Sequence, residues 1–269
     1  MADLNSSICI SSLHASAVSL LGEEVYDTTE KPNAVITALA DKKLSSKTVD
    51  RTIIYNPDAV ALWIWQKYTE KFAPAMVRSD IAMPMLSVMP SVTPVCFASM
   101  YTGVMPEVHG IRKYEKPVLT TETLFDRFIK AGKKAAIVST KNDSISVIFL
   151  EREMDYFIYD TPEEVNKKAL EIIDEDKYDL VVIYNGDYDG TMHKFGPESE
   201  EALARLDKNI AFYAEMVDKI HTRLAGKNVF YGFCPDHGCH EIDGGCGSHG
   251  LDMEEDMNVI HFYSIKTAE

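Results

Sequence analysis

Thr93 stands where a helix is predicted to begin. Pro94 suits the first helical position, because its fixed φ fits the turn and its missing N–H would be unpaired there anyway. The helix is predicted to run to Tyr101 and to end at Thr102 and Gly103. A side chain at a helix start lies near free backbone N–H groups and the positive end of the dipole, where a phosphate group binds well. Thr93 is therefore a candidate nucleophile, and a simple N-cap is the alternative.

A second group of polar side chains occupies residues 185–197, directly after an apolar run typical of a strand. Asp189 and His193 are four residues apart, so a turn of helix would direct both toward one point. A carboxylate and an imidazole are ordinary ligands for a divalent transition metal. Asp187 competes with Asp189 for this role, and a solvated loop is the alternative for the whole segment.

The glycine-rich segment 233–250 holds a third group and also follows a predicted strand. Its composition is poor for helix or strand, so a bound metal is the plainest agent to shape its backbone. The candidate ligands are Asp236, His237, His240 and His249. A structural zinc site is the competing interpretation, although the sequence lacks the closely paired cysteines that such sites usually have. That site would use Cys234, Cys239 and Cys246 with His237, His240 and His249.

Composition narrows the class of protein. The chain has 269 residues, 46% of them hydrophobic, which suits a globular protein with an ample core. With 27 Lys and Arg against 42 Asp and Glu, the net charge is −15, which argues against a nucleic-acid scaffold because phosphate backbones require a basic face. The N-terminus predicts neither a signal peptide nor a membrane span. Five irregularly spaced cysteines favour a reducing, cytoplasmic setting.

The remaining sequence alternates between strand and helix patterns, which predicts a doubly wound, mostly parallel α/β sheet with helices on both faces, in one domain over residues 1–269. Residues 7–22 and 33–40 are each compatible with helix or strand. Asp58 lies where a strand passes into a helix, the end of a parallel strand at which ligands bind. Strands are predicted at 51–56, 134–139, 155–159, 178–184, 228–233 and 257–265, and helices at 59–72, 121–132, 161–174 and 198–225.

Together these motifs resemble the alkaline phosphatase superfamily, and within it the type I phosphodiesterase/nucleotide pyrophosphatase branch. Thr93 is followed by Thr102-Gly103 and by Pro106-Glu-Val-His-Gly-Ile111 at the branch's separations. The segments Asp189 to Pro197, Asp236-His-Gly238 and Gly247-Ser-His-Gly250 follow in the branch's order. The resemblance extends from about residue 51 onward.

The resemblance implies a pair of divalent metal ions, zinc or alternatively manganese, that hold a phosphoryl group. One ion would be bound by Asp58, Thr93, Asp236 and His237, and the other by Asp189, His193 and His249. Thr93 would attack phosphorus in line, form a phosphothreonine intermediate and be released by water. The implied substrate is a small phosphate ester, above all a phosphodiester or a nucleotide pyrophosphate.

Several features qualify this interpretation. Cys96 stands where the branch has an asparagine, and we interpret it as a small apolar packing residue. Asp58 precedes Ala59 where the family has glycine, so Asp41 is retained as a second choice. We interpret His109 as structural. A phosphomonoesterase or phosphonate hydrolase is the alternative activity, whereas a sulfatase would need Cys or Ser at position 93. The non-catalytic alternative is a zinc-stabilised binding module.

Overall fold

The computed structural model describes residues 6–46 and 48–268. Residues 1–5, on which the N-terminal interpretation partly depends, lie outside this range, as does residue 47 in the polar connection predicted at 42–51. Nine strands occur in the described part. They are β1 (Arg51–Pro57), β2 (Ile81–Leu86), β3 (Ala135–Thr140), β4 (Asp155–Tyr159), β5 (Leu180–Asn185), β6 (Val229–Phe233), β7 (His240–Ile242), β8 (Cys246–Ser248) and β9 (Asn258–Lys266).

Seven of these strands form the central sheet, in the order β2-β9-β6-β1-β5-β3-β4. The strands β6, β1, β5, β3 and β4 are parallel, whereas β9 runs antiparallel to β6 and β2. The strands β7 and β8 form a separate antiparallel hairpin. The mostly parallel α/β sheet predicted from the alternating pattern is therefore confirmed, and the assignment to one domain stays a prediction.

Helices cover both faces of the sheet. Side chains alternate across it: Ile54 enters the core shared with α1, α5 and α7, while Ile53 and Tyr55 enter the core shared with α9, α10 and α11. The α-helices of the described residues are α1 (Ser12–Leu21), α2 (Ala34–Lys43), α3 (Leu62–Lys67), α4 (Ala73–Met76), α5 (Thr93–Thr102), α6 (Pro106–His109), α7 (Leu124–Lys130), α8 (Ser144–Ile148), α9 (Pro162–Glu175), α10 (Asp187–Phe195), α11 (Glu200–Arg223) and α12 (Glu254–Met257). None of them combines the length and the apolar character needed to cross a membrane.

Most predicted elements are present, with some corrections. Helix α1 lies within the first undecided segment, and α2 begins in the second and continues three residues beyond it. The helix predicted at 59–72 is divided into α3 and a 3-10 helix at Thr69–Phe72. Thr93 is the first residue of α5 and not its cap, which is Val92, so Pro94 takes the second position. Strand β2 was not predicted because it contains Pro84, which an edge strand tolerates.

Candidate metal centre and nucleophile

The strand order brings the three polar segments to one edge of the sheet. Strands β6, β1 and β5 are neighbours and parallel, so the loops at their carboxyl ends meet. Asp58 follows β1, and its backbone N–H donates to the carbonyl oxygen of Asn185 at the end of β5 (3.0 Å). Asp236 and His237 follow β6, and α10 places Asp189 after β5.

The first cluster consists of Asp58, Asp236 and His237, which are at most 1% exposed. Nε2 of His237 lies 3.3 Å from Oδ1 of Asp58 and 3.3 Å from Oδ2 of Asp236. Oγ1 of Thr93 lies 3.2 Å from Nε2 of His237 and 3.4 Å from Oδ2 of Asp58. The first residue of α5 therefore presents its hydroxyl group directly to this cluster.

The second cluster consists of Asp189, His193 and His249. Oδ1 of Asp189 lies 3.3 Å from Nε2 of His193 and 3.4 Å from Nε2 of His249. The rings of His237 and His249 are stacked with their centroids 3.9 Å apart, so the two clusters adjoin. The six side chains that the resemblance implied as metal ligands, together with Thr93, are thus brought to one place, whereas His240 lies in neither cluster. Within each cluster the ligand-type atoms lie within 4.8 Å of one another.

The three imidazole rings are each oriented by a hydrogen bond from Nδ1 to a backbone carbonyl oxygen. Nδ1 of His237 donates to the carbonyl oxygen of Gly238 (2.9 Å), that of His193 to Gly247 (3.0 Å), and that of His249 to Ser91 (2.9 Å). Because a carbonyl oxygen can only accept, each hydrogen bond places a proton on Nδ1. Nε2, which faces the carboxylates, is then the ring atom that can bind a metal ion. This arrangement is the usual support for a metal-binding histidine.

Gly247 approaches α10 very closely. A Cβ atom at this position would lie 2.5 Å from Sδ and 2.7 Å from the carbonyl oxygen of Met192. Only glycine therefore lets β8 come near enough for its carbonyl group to reach His193.

The electrostatics of the site favour a compensating cation. Oδ1 of Asp58, Oδ1 of Asp189 and Oδ2 of Asp236 are buried and accept no hydrogen bond from any described residue. Burial, with the charge of Asp189, raises the pKa of Asp58 to about 7, and burial with the charge of Asp58 raises the pKa of Asp236 well above its usual value. Burial also lowers the pKa of His237, which keeps this ring neutral. Neutral imidazole and carboxylate donors with unused oxygen atoms fit divalent metal ions such as zinc.

The alternative ligands lie elsewhere. Asp187 pairs with Arg205 at 3.1 Å and is not in either cluster. Asp41 is an exposed residue of α2 and lies in neither cluster, whereas Asp58, the first choice, lies in the first cluster. Ala59 nevertheless has a φ of +63°, a left-handed conformation that explains why glycine suits the position after this aspartate.

The structural-zinc alternative does not match the geometry. Among the described residues, neither candidate metal group contains a cysteine. Cys239 contacts the hydroxyl group of Tyr188, Cys246 donates to the carbonyl oxygen of Lys194, and Nδ1 of His240 binds Asp256 at 2.7 Å. Cys239, Cys246 and His240, which the structural-zinc site would need together, therefore each have a different partner.

Two further interpretations agree with the contacts. His109 binds Oγ of Ser99 (2.9 Å) and accepts from the backbone N–H of Ile111 (3.2 Å), which is a structural role. Cys96 is fully buried, and burial raises the pKa of its thiol, so the neutral side chain packs in the core behind Thr93.

Two residues near the clusters were missed at the sequence level. The hydroxyl group of Tyr184 donates to Oδ2 of Asp58, although the sequence suggested only a core residue of β5. Asp256 is fully buried, and its carboxylate accepts from Nδ1 of His240 and from the backbone N–H of Leu251 (2.9 Å). Its backbone carbonyl accepts from the N–H of Gly238 (2.7 Å), so Asp256 connects the segments that carry His237 and His249.

A cavity of about 350 Å³ opens beside Thr93. Its walls include Asp58, Asp189 and Tyr184 on the side of the clusters, and Tyr114 and Lys116 on the other. Nζ of Lys116 is held by the carbonyl oxygen of Asn142 (2.7 Å). A small phosphorylated molecule therefore has room next to the threonine hydroxyl.

Comparison with known proteins gives two kinds of match. The family model of type I phosphodiesterase / nucleotide pyrophosphatase matches residues 62–256. This range includes Thr93 and every candidate ligand except Asp58, which lies just before it. Among the curated proteins compared with this chain, no match was found.

Solved structures show the same fold at low identity. Human ectonucleotide pyrophosphatase / phosphodiesterase 5 aligns with a TM-score of 0.57 and 17% identity over 72% of this chain and 58% of that one. An inactive variant of the murine protein in complex with AMP aligns with a TM-score of 0.56 and 15% identity, over 72% of this chain and 59% of that one. Phosphonoacetate hydrolase from Sinorhizobium meliloti 1021 in complex with phosphonoformate aligns with a TM-score of 0.55 and 18% identity, over 73% of this chain and 59% of that one. The chain thus spans less than two thirds of the length of these structures.

The elevated pKa of Asp58 predicts a pH dependence for the metal-free protein. Because the native state holds this proton more tightly than the unfolded state, the stabilisation is complete below about pH 4 and is lost as pH rises through 7. We expect the free energy of unfolding in EDTA to fall by on the order of 2–4 kcal/mol over this interval. Urea unfolding at several pH values measures it. Asp58→Asn should flatten the curve, and an unchanged slope in this variant would contradict the assignment.

The contacts of Asp256 predict an effect on metal binding from outside the clusters. Asp256→Asn removes one of the two acceptor oxygens and should weaken zinc affinity about tenfold, because the segments carrying His237 and His249 lose a common support. Calorimetric titration of the metal-free protein with zinc is the measurement. Glu254→Gln, which removes the same charge from the exposed side of α12, is the control and should bind zinc like the parent. Equal affinities in both variants would show that Asp256 has no such role.

Proposed function

Because this chain belongs to the type I phosphodiesterase / nucleotide pyrophosphatase family, we propose that it hydrolyses phosphate esters, with Thr93 as the nucleophile and two divalent metal ions as cofactors. The resemblance to this branch that the motifs predicted is thereby confirmed. The observation that carries the proposal is the placement of Oγ1 of Thr93 at 3.2 Å from Nε2 of His237, beside two clusters of ligand-type atoms.

The first cluster and Thr93 would hold one metal ion, and the second cluster would hold the other. When bound, the two ions would neutralise the charge of the phosphoryl group and favour the ionised form of the threonine hydroxyl. Zinc suits the donor set of carboxylate oxygens and imidazole Nε2 atoms best, with manganese as the alternative. The ligands of the first ion would be Asp58, Thr93, Asp236 and His237, and those of the second Asp189, His193 and His249.

The residues of the chain define the course of the reaction. Oγ1 of Thr93 forms a bond to phosphorus as the bond to the leaving-group oxygen breaks, which gives a phosphothreonine. Water then attacks this intermediate and releases the threonine hydroxyl and the phosphate product. Thr93 is only 4% exposed and is fixed by the first turn of α5, so the nucleophile is oriented before the substrate arrives. Tyr184 holds Asp58 in place through its hydrogen bond to Oδ2.

Phosphodiesters and nucleotide pyrophosphates are the first substrate class that we propose. A phosphomonoester or a phosphonate is the second, because one of the similar structures is a phosphonoacetate hydrolase and because Lys116 offers a cation to an anionic substituent in the catalytic cavity. A sulfatase is disfavoured because Thr93 is not a precursor of formylglycine.

The reducing, cytoplasmic setting is retained as a proposal, which the five free thiols support.

Removal of the nucleophile tests the mechanism. Thr93→Ala should lower kcat by roughly 10³-fold or more, because no other side chain can form the covalent intermediate. Thr93→Ser should keep measurable activity, since it restores the hydroxyl group. EDTA should abolish the activity of the parent protein, and added zinc should restore it. Zinc titration of Thr93→Ala is the control for folding, and a full rate in this variant would refute the threonine mechanism.

The choice between substrate classes has its own measurement. Rates with bis-p-nitrophenyl phosphate and p-nitrophenyl phosphate are compared for the zinc-loaded protein. We expect kcat/KM to be at least about tenfold higher for the diester, because binding of the second ester group adds to the stabilisation of the transition state. A preference for the monoester would instead favour the second substrate class.

A further inference from the structure

A fourth aspartate lies at the edge of the sheet that carries the candidate metal centre. Strand β3 lies next to β5 and runs parallel to it, so both strands end at this edge. Asp143 follows the end of β3 by three residues. Its side chain lines the same cavity of about 350 Å³ as Thr93, Asp58 and Asp189.

The other carboxyl groups of this cavity have a different role or position. Asp58 and Asp189 belong to the two clusters. Asp187 pairs with an arginine of α11 at 3.1 Å, and Asp160 is exposed. Asp143 is only partly exposed, belongs to neither cluster and forms no ion pair with a described residue. It is therefore the carboxyl group of the cavity for which neither the metal ions nor an ion pair gives a role.

Three contacts fix the position of Asp143. The hydroxyl group of Thr140 donates to Oδ2 of its carboxyl group, and Oγ of Ser146 donates to its backbone carbonyl oxygen (2.9 Å). Nζ of Lys116 donates to the carbonyl oxygen of the preceding residue, Asn142 (2.7 Å). Because Oδ2 is occupied as an acceptor, Oδ1 is the atom that carries the proton when the carboxyl group is neutral.

The surroundings of Asp143 favour this neutral form. Burial, with the charges of Asp58 and Asp189, raises the pKa of its carboxyl group to about 7, and the charge of Lys116 opposes the rise. Metal ions at the two clusters would offset the charges of the two aspartates, whereas the burial, which is the largest cause, would remain. Asp143 can therefore hold a proton in part of the population near neutral pH, as a general acid must.

In-line attack directs the leaving group away from the metal centre and toward this side of the cavity. Oγ1 of Thr93 approaches phosphorus from the first cluster, so the leaving-group oxygen departs on the opposite side. Lys116 and Asp143 line the cavity there, because the backbone of residue 142 holds Nζ of Lys116 next to Asp143. The oxygen atom that gains negative charge as the ester bond breaks thus faces a carboxyl group.

We propose that Asp143 is the general acid of the reaction and donates the proton of its carboxyl group to the leaving-group oxygen. The proposal rests on the proposed function and adds a catalytic residue to it. As Oγ1 of Thr93 bonds to phosphorus and the bond to the leaving group breaks, the proton passes from Asp143 to that oxygen, and an alcohol departs.

The second step returns Asp143 to its acid form. Water enters on the side that the leaving group has vacated, and its oxygen bonds to phosphorus while the bond to Oγ1 of Thr93 breaks. The carboxylate of Asp143 takes a proton from this water, so the residue that acted as an acid now acts as a base.

Two diesters that differ only in their leaving group test this role. Methyl 4-nitrophenyl phosphate releases 4-nitrophenolate, which is weakly basic and needs no proton, whereas methyl phenyl phosphate releases the more basic phenolate. Both form the same methylated phosphothreonine, so kcat/KM reports the step in which they differ. In the zinc-loaded protein, Asp143→Asn should lower kcat/KM for the phenyl ester about 100-fold and that for the nitrophenyl ester by no more than about threefold.

The matched control is Asp160→Asn, which removes the same charge from the exposed part of the cavity wall and should leave the ratio of the two kcat/KM values unchanged. The parent protein supplies a measurement that does not depend on the folding of a variant. Its two kcat/KM values should differ by less than about tenfold, because a protonated leaving group develops little charge.

Three results would overturn the general acid alone. They are an equal loss for both esters in Asp143→Asn, an unchanged rate for the phenyl ester in this variant, and a preference of the parent for the nitrophenyl ester far beyond tenfold. Failure of the parent to hydrolyse either ester would instead overturn the proposed function.

Discussion

The constraint on which this structure depends is the burial of three aspartate side chains at one edge of the sheet. Asp58, Asp189 and Asp236 carry oxygen atoms that are shielded from water and accept no hydrogen bond from the described residues. Ionised carboxylates in such a place repel one another and lose their hydration. In the metal-free chain, protons compensate for part of this charge, because burial raises the pKa of Asp58 and Asp236, and the contact with Asp189 raises the pKa of His193 to about 9. A divalent cation bound at these carboxylates would take the place of those protons.

The sheet topology makes this convergence possible. Strand β1 lies between β5 and β6, so the loops of three adjacent parallel strands end together, even though Asp58 precedes both Asp189 and Asp236 by more than 100 positions in the sequence. The antiparallel strand β9 follows β6 and closes the sheet toward its β2 edge. Helix α5 then brings its first residue, Thr93, against the first cluster. The nucleophile and the ligands consequently belong to different segments that only the complete sheet assembles.

Much of this arrangement was predictable from the sequence, for physical reasons. Strand β4 has the predicted bounds, and the ligand-type residues were identified because each follows an apolar strand pattern. Tyr184 and Asp256 could not be identified this way, since Tyr184 resembles any core residue and Asp256 lies in an acidic run. Their roles depend on which groups face them across 126 and 16 positions.

The contact between Gly247 and Met192 makes the separation of β8 and α10 a fixed dimension of the centre. Strand β8 belongs to a hairpin whose turn at residues 243–245 is exposed, so Asp243 can change without disturbing the centre, whereas Gly244 and Gly245 have positive φ values that favour glycine. At residue 247, in contrast, one added methyl group would push the hairpin away from the helix and withdraw the carbonyl group that orients His193. Substitution in this hairpin is therefore tolerated at Asp243 and excluded four residues later at Gly247.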